Sequence, residues 1–162
     1  MIRRYIVLLM FALWMGGFTF YTLIVIPTGG KVLGGERDVG FITQQVTNWL
    51  NWLGILALLV LAWNALAEGR GIARMLLAFS WLAMAVMQAG LFLIHPVLDH
   101  MLDTATHKIH NPMVTFFNWH RFYMIVASAQ WLAALIYLWL ALIIWRETDK
   151  TPSLPNAKLA EN

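Results

Sequence analysis

The residues best suited to chemistry lie in one stretch of the sequence, residues 88–131. All five histidines of the chain fall within it: His95, His100, His107, His110 and His120. Imidazole titrates near neutral pH and is the commonest metal ligand in proteins. This stretch is therefore predicted to hold the functional site.

His95 lies at the end of one long apolar segment and His120 at the start of the next. If these segments are antiparallel helices, both histidines lie at a similar depth in the membrane. Paired imidazoles from facing helices bind haem iron in membrane bundles, and Arg121 is near enough in sequence to pair with a propionate. Three more polar side chains are expected nearby and could fix an imidazole tautomer: Asn51, Gln88 and Tyr123. The pattern predicts haem b or a metal ion at this pair. The alternative is a hydrogen-bonded pair that closes the end of the bundle.

A second set of candidate ligands is Asp103, His107 and His110. Their spacing places them on successive turns of one face of a helix, an arrangement that copper or zinc accepts. The alternative interpretation is the solvated face of a helix lying on the membrane surface. The candidate metal ligands are thus these three residues together with His95 and His120.

The composition indicates a membrane protein. Of the 162 residues, 60% are hydrophobic and only 12% are charged, which leaves too little polar surface for an ordinary soluble domain. Crossing the ~30 Å hydrocarbon core takes about 20 apolar residues as helix. Four uncharged runs meet that length, and they do not alternate as barrel strands do: about 5–26, 46–67, 75–94 and 122–145. There are no cysteines, which excludes disulfides and thiolate metal sites.

Prolines are expected to set the ends of two spans. Pro27 should end the first helix, leaving 28–35 as a flexible outer turn. Pro96 should end or kink the third span at His95 and begin an amphipathic helix over about 96–110 on the outer surface. The predicted fold is an all-α, polytopic four-helix transmembrane bundle over 1–146 with this short outer helix. Residues 147–162 are predicted to be a disordered cytoplasmic tail.

The basic residues are distributed unequally between the two sides of this arrangement. Seven lie on the side of both termini and four on the other. The positive-inside rule then places both termini in the cytoplasm, in the inner membrane of a bacterium, with the histidine stretch facing the periplasm. The first span should be retained, because its apolar run is too long for a signal peptide and no small-x-small cleavage site follows.

Polar residues of the spans concentrate in the predicted outer halves, whereas the inner halves are almost wholly apolar. Polar side chains within a membrane tend to face the bundle interior or a watery cavity. The sequence therefore predicts a polar pocket that opens outward. The alternative is that helix ends wet by headgroups simply tolerate polar residues.

Short motifs resemble a known family. The first span ends in Pro27, Leu-Phe-Leu-Ile-His-Pro follows at 91–96, and Phe-Phe-Asn-Trp-His-Arg at 116–121. This order resembles a widespread four-span family of unknown function, which includes eukaryotic and bacterial proteins related to transmembrane protein two-hundred-and-five. Pro96 and His120 match best, while His95 replaces a residue that is often acidic or basic there. His100, His107 and His110 are further departures. The resemblance implies the four-span fold and no established activity.

Two functions are compatible with these features. The first is binding of haem or a transition metal, copper or zinc, at the outward histidine pocket for electron transfer or metal handling. The alternative is a non-catalytic subunit or assembly factor of a larger membrane complex. The sequence shows no nucleophile–base constellation and no paired intramembrane carboxylates, which argues against a hydrolase or a proton-coupled pump. The expected partners are the lipid bilayer and other membrane subunits or further copies of the chain, and not nucleic acid.

Overall fold

The computed structural model describes residues 1–33, 36–68, 71–103, 108–109 and 113–150. Its elements follow in chain order: α1 (Ile2–Phe20), a π-helical turn (Tyr21–Val25), α2 (Ile26–Leu33), α3 (Glu36–Ala67), α4 (Ile72–Met101), β1 (Leu102–Asp103), β2 (Lys108–Ile109) and α5 (Met113–Lys150). Four helical segments are long and apolar enough to cross a membrane: Ile2–Leu33, Val39–Ala67, Ile72–Met101 and Met113–Lys150. The predicted all-α, four-helix membrane fold is confirmed.

The most extensive helix packing is between α4 and α5. Buried residues recur every three or four positions along α5, at Tyr123, Ala127, Gln130, Ala134, Tyr137, Ala141 and Trp145. The three alanines in this stripe have small side chains, which let the backbones of neighbouring membrane helices approach closely. Larger polar and aromatic side chains between them reach other helices, and these form the internal hydrogen bonds described below.

The predicted end of the first helix at Pro27 is wrong, as is the flexible turn after it. The chain remains helical through Leu33. A π-helical turn immediately before the proline explains this, since the N–H of Ile26 bonds to the carbonyl of Tyr21, five residues back. Proline in an α-helix ordinarily clashes with the carbonyl group four residues before it. In the wider π turn the hydrogen bonds reach five residues back, so the carbonyl groups are positioned differently relative to the proline. Residues 34–35 lie outside the described residues.

The predicted outer amphipathic helix over 96–110 is also wrong. Helix α4 continues through Pro96 to Met101, and β1 then pairs antiparallel with β2, with Leu102 opposite Ile109. Leu98 and Met101, which a surface helix over 96–110 would include, are buried in the bundle. Their burial favours continuation of the helix, and a proline inside a membrane helix is tolerated when neighbouring groups satisfy the freed carbonyl. Residues 104–107 and 110–112 lie outside the described residues.

The opposite end of the bundle is held by polar contacts that the sequence pattern did not indicate. Glu68 is buried, and its Oε1 accepts hydrogen bonds from the guanidinium of Arg3 and from Nε1 of Trp145, the latter at 2.9 Å. One turn earlier, Asn64 donates to the hydroxyl of Tyr137 at 3.2 Å. Within the predicted spans, the buried Asn64 is an exception to the expectation that the inner halves are almost wholly apolar. The contacts join α1, α3 and α5.

The last helix also extends beyond its predicted end. Residues 147–150, assigned from the sequence to a disordered tail, belong to α5. Asp149 in this last turn accepts two hydrogen bonds from Arg4, at 2.7 and 2.9 Å, which tie the end of α5 to the start of α1. The rest of the predicted tail, 151–162, lies outside the described residues.

Candidate functional site

A cavity of about 760 Å³ lies at the end of the bundle where α3 and α5 begin and α4 ends. This is the end that the sequence predicts to be the outer one. Its walls come from all four membrane helices, and they are mainly apolar and aromatic, with a few polar side chains among them. Pockets of this size and character commonly bind small molecules or cofactors. We refer to it as the outer cavity.

His95 and His120 both line the outer cavity, as the sequence predicts for a pair at similar depth. They reach it from different helices, His95 from the end of α4 and His120 from the start of α5. Tyr123 lines the cavity as well, and its ring contacts that of His95 edge-on, with the centroids 6.3 Å apart. The two imidazoles thus share one binding space.

His95 is held by two oxygen atoms. Its Nδ1 lies 2.9 Å from Oδ2 of Asp99, one helical turn later, and its Nε2 lies 3.3 Å from the carbonyl oxygen of Gln44 in α3. A neutral imidazole has one N–H and donates to only one acceptor. Both atoms that face the ring, the carboxylate oxygen of Asp99 and the carbonyl oxygen of Gln44, are acceptors. A metal-ligating histidine commonly bonds to a carboxylate through its other nitrogen, and the contact with Asp99 would allow that arrangement here.

His120 has a different environment. Its ring is half-buried and stacks on that of Phe116, one turn earlier in α5, with the centroids 6.0 Å apart and the planes 9° from parallel. Among the described residues, its ring nitrogens make no hydrogen bond. The stacking fixes the plane of the ring while leaving the nitrogens available to a ligand in the cavity.

The predicted partners of the histidines form a hydrogen-bond network of their own, which reaches the cavity through Tyr123. Asn51 donates to the hydroxyl of Tyr123 at 3.1 Å, and Gln88 donates to the backbone oxygen of Asn51 at 3.3 Å. Gln130 completes the network by donating to Oε1 of Gln88 at 2.9 Å. Among the described residues, the side chains of Asn51 and Gln88 bond within this network across α3, α4 and α5 and not to either imidazole. Tyr123 belongs to the network and also contacts the ring of His95. The expected role of these three residues in orienting the imidazoles stays a prediction.

The acidic partner of His95 was missed in the sequence. Asp99 follows His95 by four residues, a spacing that places two side chains on one face of a helix. The spacing of His95 and Asp99 is therefore visible in the sequence. The predicted helix break at Pro96, however, places the two residues on separate helices.

Arg121, the predicted propionate partner, is exposed and does not line the outer cavity. A residue directly after His120 points to a different side of α5, since successive helical residues are about 100° apart. Lys31, at the end of α2, does line the cavity and offers its ammonium group there. The predicted ligand set of Asp103, His107 and His110 lies outside the residues whose side chains the structure describes.

Two further polar groups of the cavity wall were also missed. Tyr21, in the π-helical turn, is only 6% exposed. Among the described residues its hydroxyl makes no hydrogen bond of ordinary geometry, and its polar neighbour is the side chain of Thr43. Oε1 of Gln44, in α3, is also buried without a partner. Both residues line the outer cavity. A buried polar group without a partner is costly, and such groups often indicate a bound molecule.

Within the part of the chain that the structure describes, no three His, Asp or Glu side chains are grouped closely enough to hold a metal ion. Comparison of the chain with protein-family models, with curated proteins and with solved structures found no match. The resemblance to the four-span family stays a prediction from its motifs.

Proposed function

We propose that the outer cavity binds haem b, with His120 and His95 as the iron ligands. The observation that supports this most is that two imidazoles from different helices line one large, mainly apolar cavity. Apolar walls suit the macrocycle, and paired histidines in helix bundles are an established way of holding its iron. Bound haem would supply one-electron chemistry, consistent with the predicted role in electron transfer or metal handling.

The environment of each histidine fits this role. His120 has ring nitrogens without a described partner, so its ligation breaks no hydrogen bond. His95 has to give up its 3.3 Å contact with Gln44, while its 2.9 Å bond to Asp99 is retained. A carboxylate on the far nitrogen raises the basicity of a ligating imidazole and fixes its orientation. A bare copper or zinc ion held by the same two histidines is the second form of the proposal.

The orientation of the chain in the membrane is part of the proposal. In the four-span arrangement predicted from the sequence, seven of the eleven Lys and Arg residues fall on the side of both termini. By the positive-inside rule this side faces the cytoplasm, and in a bacterium the outer cavity would then open to the periplasm.

Purified protein should carry haem when it is expressed with haem supplied, and this should be visible as a Soret absorption band. His95→Ala and His120→Ala should each abolish the band while the fold, followed by circular dichroism, is retained. His100→Ala is the matched control, because His100 is exposed and does not line the cavity. Metal analysis of the same preparations tests the second form.

Two results would overturn the proposal: wild-type protein without haem or metal although both were supplied, or retention of the cofactor in both histidine variants. The alternative, a structural subunit or assembly factor of a membrane complex, would then be the better account of the chain.

A further inference from the structure

We infer that the wall of the outer cavity formed by the π-helical turn and α3 binds the carboxylate of an amphipathic molecule. The groups that carry this inference are the hydroxyl of Tyr21 and the side-chain amide of Gln44. Haem propionates and long-chain fatty acids both offer a carboxylate on an apolar body. Binding of a haem propionate at this wall rests on the proposed function, whereas binding of a fatty acid does not.

The first argument is the burial of groups that lack partners. A tyrosine that is 94% buried would normally donate a hydrogen bond from its hydroxyl within the protein. The hydroxyl of Tyr21 makes none of ordinary geometry among the described residues, and the neighbouring Thr43 hydroxyl donates to the carbonyl of Val39. Leaving such a donor unsatisfied costs about 1–3 kcal/mol. A ligand oxygen in the cavity that Tyr21 lines would remove this cost.

The second argument is that Gln44 supplies another group in the same condition, from a different helix. Its Oε1 is buried without a partner in the same cavity wall. Oxygen and nitrogen of a side-chain amide exchange places by a half-turn of the amide. After this half-turn the amide nitrogen of Gln44 occupies the position of Oε1. Its N–H would then donate a hydrogen bond to a carboxylate oxygen in the cavity.

The charged residues that line the cavity are compatible with an anion there. Lys31 follows Tyr21 by ten residues, on α2, and it lines the cavity with an exposed ammonium group. Among the described lining residues, Asp99 is the only acid, and its carboxylate bonds to His95 on α4. A carboxylate at the wall of Tyr21 and Gln44 would therefore meet two neutral donors in a cavity that also contains a cation.

The apolar part of the ligand has a place as well. Phe18, Ile26 and Leu50 line the cavity beside these polar groups. A carboxylate bound at the wall would leave an acyl chain or a macrocycle against these side chains. The combination distinguishes an amphipathic acid from a small hydrophilic anion, which would bury no apolar surface.

The test compares acids with their esters, with the protein in nanodiscs of phosphatidylcholine. The probes are haem b and its dimethyl ester, followed by absorption, and radiolabelled palmitate and methyl palmitate, followed by equilibrium binding. Esterification removes the negative charge and keeps the apolar body. Each acid that binds should do so at least about tenfold more tightly than its ester, because hydrogen bonds to a charged group are the strong ones.

The variants are Tyr21→Phe and Gln44→Leu, and each should reduce the preference for the acid several-fold. Tyr5→Phe and Gln45→Leu are matched controls, since both residues are exposed and do not line the cavity. Tyr21→Phe removes a buried hydroxyl that makes no hydrogen bond of ordinary geometry among the described residues, so the ligand-free variant should be at least as stable as wild type. This separates a ligand contact from a purely structural role.

The outcomes distinguish the two proposals. Palmitate binding that depends on Tyr21 and Gln44, without any haem binding, supports the carboxylate site and overturns the haem proposal. Haem that binds as tightly as its ester, unaffected by either variant, supports the haem site and overturns the carboxylate inference. Absence of binding by both acids, or equal binding of acids and esters in every variant, overturns the inference as well.

Discussion

Replacing Gly54 with alanine tests the amide network that reaches the outer cavity through Tyr123. A Cβ at this position of α3 would lie 2.5 Å from Oε1 of Gln88 and 3.0 Å from Nε1 of Trp14. The amide of Gln88 ends a flexible side chain, but its oxygen accepts a hydrogen bond from Gln130 at 2.9 Å. The amide can therefore move away only by weakening the network.

The expected magnitude follows from two opposing effects. Overpacking a well-packed interior costs about 1–3 kcal/mol, and each interhelical hydrogen bond lost in a membrane bundle costs about 0.6 kcal/mol on average. Alanine favours a helix over glycine by about 1 kcal/mol. Gly90→Ala in α4 is the matched control, because a Cβ there meets nothing within 4 Å. Since the helix gain is common to both, Gly54→Ala should be about 1–3 kcal/mol less stable than Gly90→Ala.

The free energy of unfolding can be measured by titration with dodecyl sulfate in mixed micelles, followed by circular dichroism. The double variant Gly54→Ala, Gln88→Ala isolates the cause, because removing the Gln88 amide should remove most of the cost of the methyl group at position 54. Equal stability of Gly54→Ala and Gly90→Ala would refute the reasoning. The reasoning would also be refuted if Gly54→Ala cost as much stability in the Gln88→Ala background as in wild type. In that case the contact with Trp14 would be the cause.

Three further predictions concern other parts of the chain. A reporter fused after Asn162 should be active only as a cytoplasmic reporter and one inserted near Thr104 only as an external one; the reverse pattern would place the cavity on the inner side. Replacing Asp103, His107 and His110 together with alanine should leave folding and cofactor content unchanged, and loss of stoichiometric copper or zinc would show that they are ligands. Arg3→Met leaves the buried carboxylate of Glu68 with Trp145 as the one remaining described donor, so we expect a loss of about 1–3 kcal/mol of stability. Lys150→Met, in an exposed pair, should change stability by less than about 0.5 kcal/mol in the same dodecyl sulfate titration, and equal effects would contradict the account.

The number and approximate location of the membrane helices could be predicted from the sequence, whereas several of their ends could not. A long uncharged apolar run has few alternatives to a membrane helix. The ends depend on the packing of the bundle as well as on local residue preference. Pro27 and Pro96 are unfavourable inside an isolated helix, but a π-helical turn precedes the first, and residues buried in the bundle follow the second.

The candidate site could also be predicted only in part from the sequence. His95 and His120 could be assigned to one cavity because antiparallel helices bring them to a similar depth. The partners of His95 could not be assigned, since the helix was expected to break at the proline that separates it from Asp99. Tyr21 and Gln44 carry no local signal, because their significance lies in the lack of ordinary hydrogen bonds among the described residues after the helices have packed. Only tertiary structure reveals such a condition.

The most direct test of the central claim is electron paramagnetic resonance of the ferric protein reconstituted with haem b. Ligation by both His120 and His95 predicts the low-spin signal of iron with two imidazole ligands. His95→Ala and His120→Ala should each lose that signal, while His100→Ala should keep it. A low-spin signal that persists unchanged in both cavity variants, or wild-type protein that gives no signal from bound haem, would contradict the account.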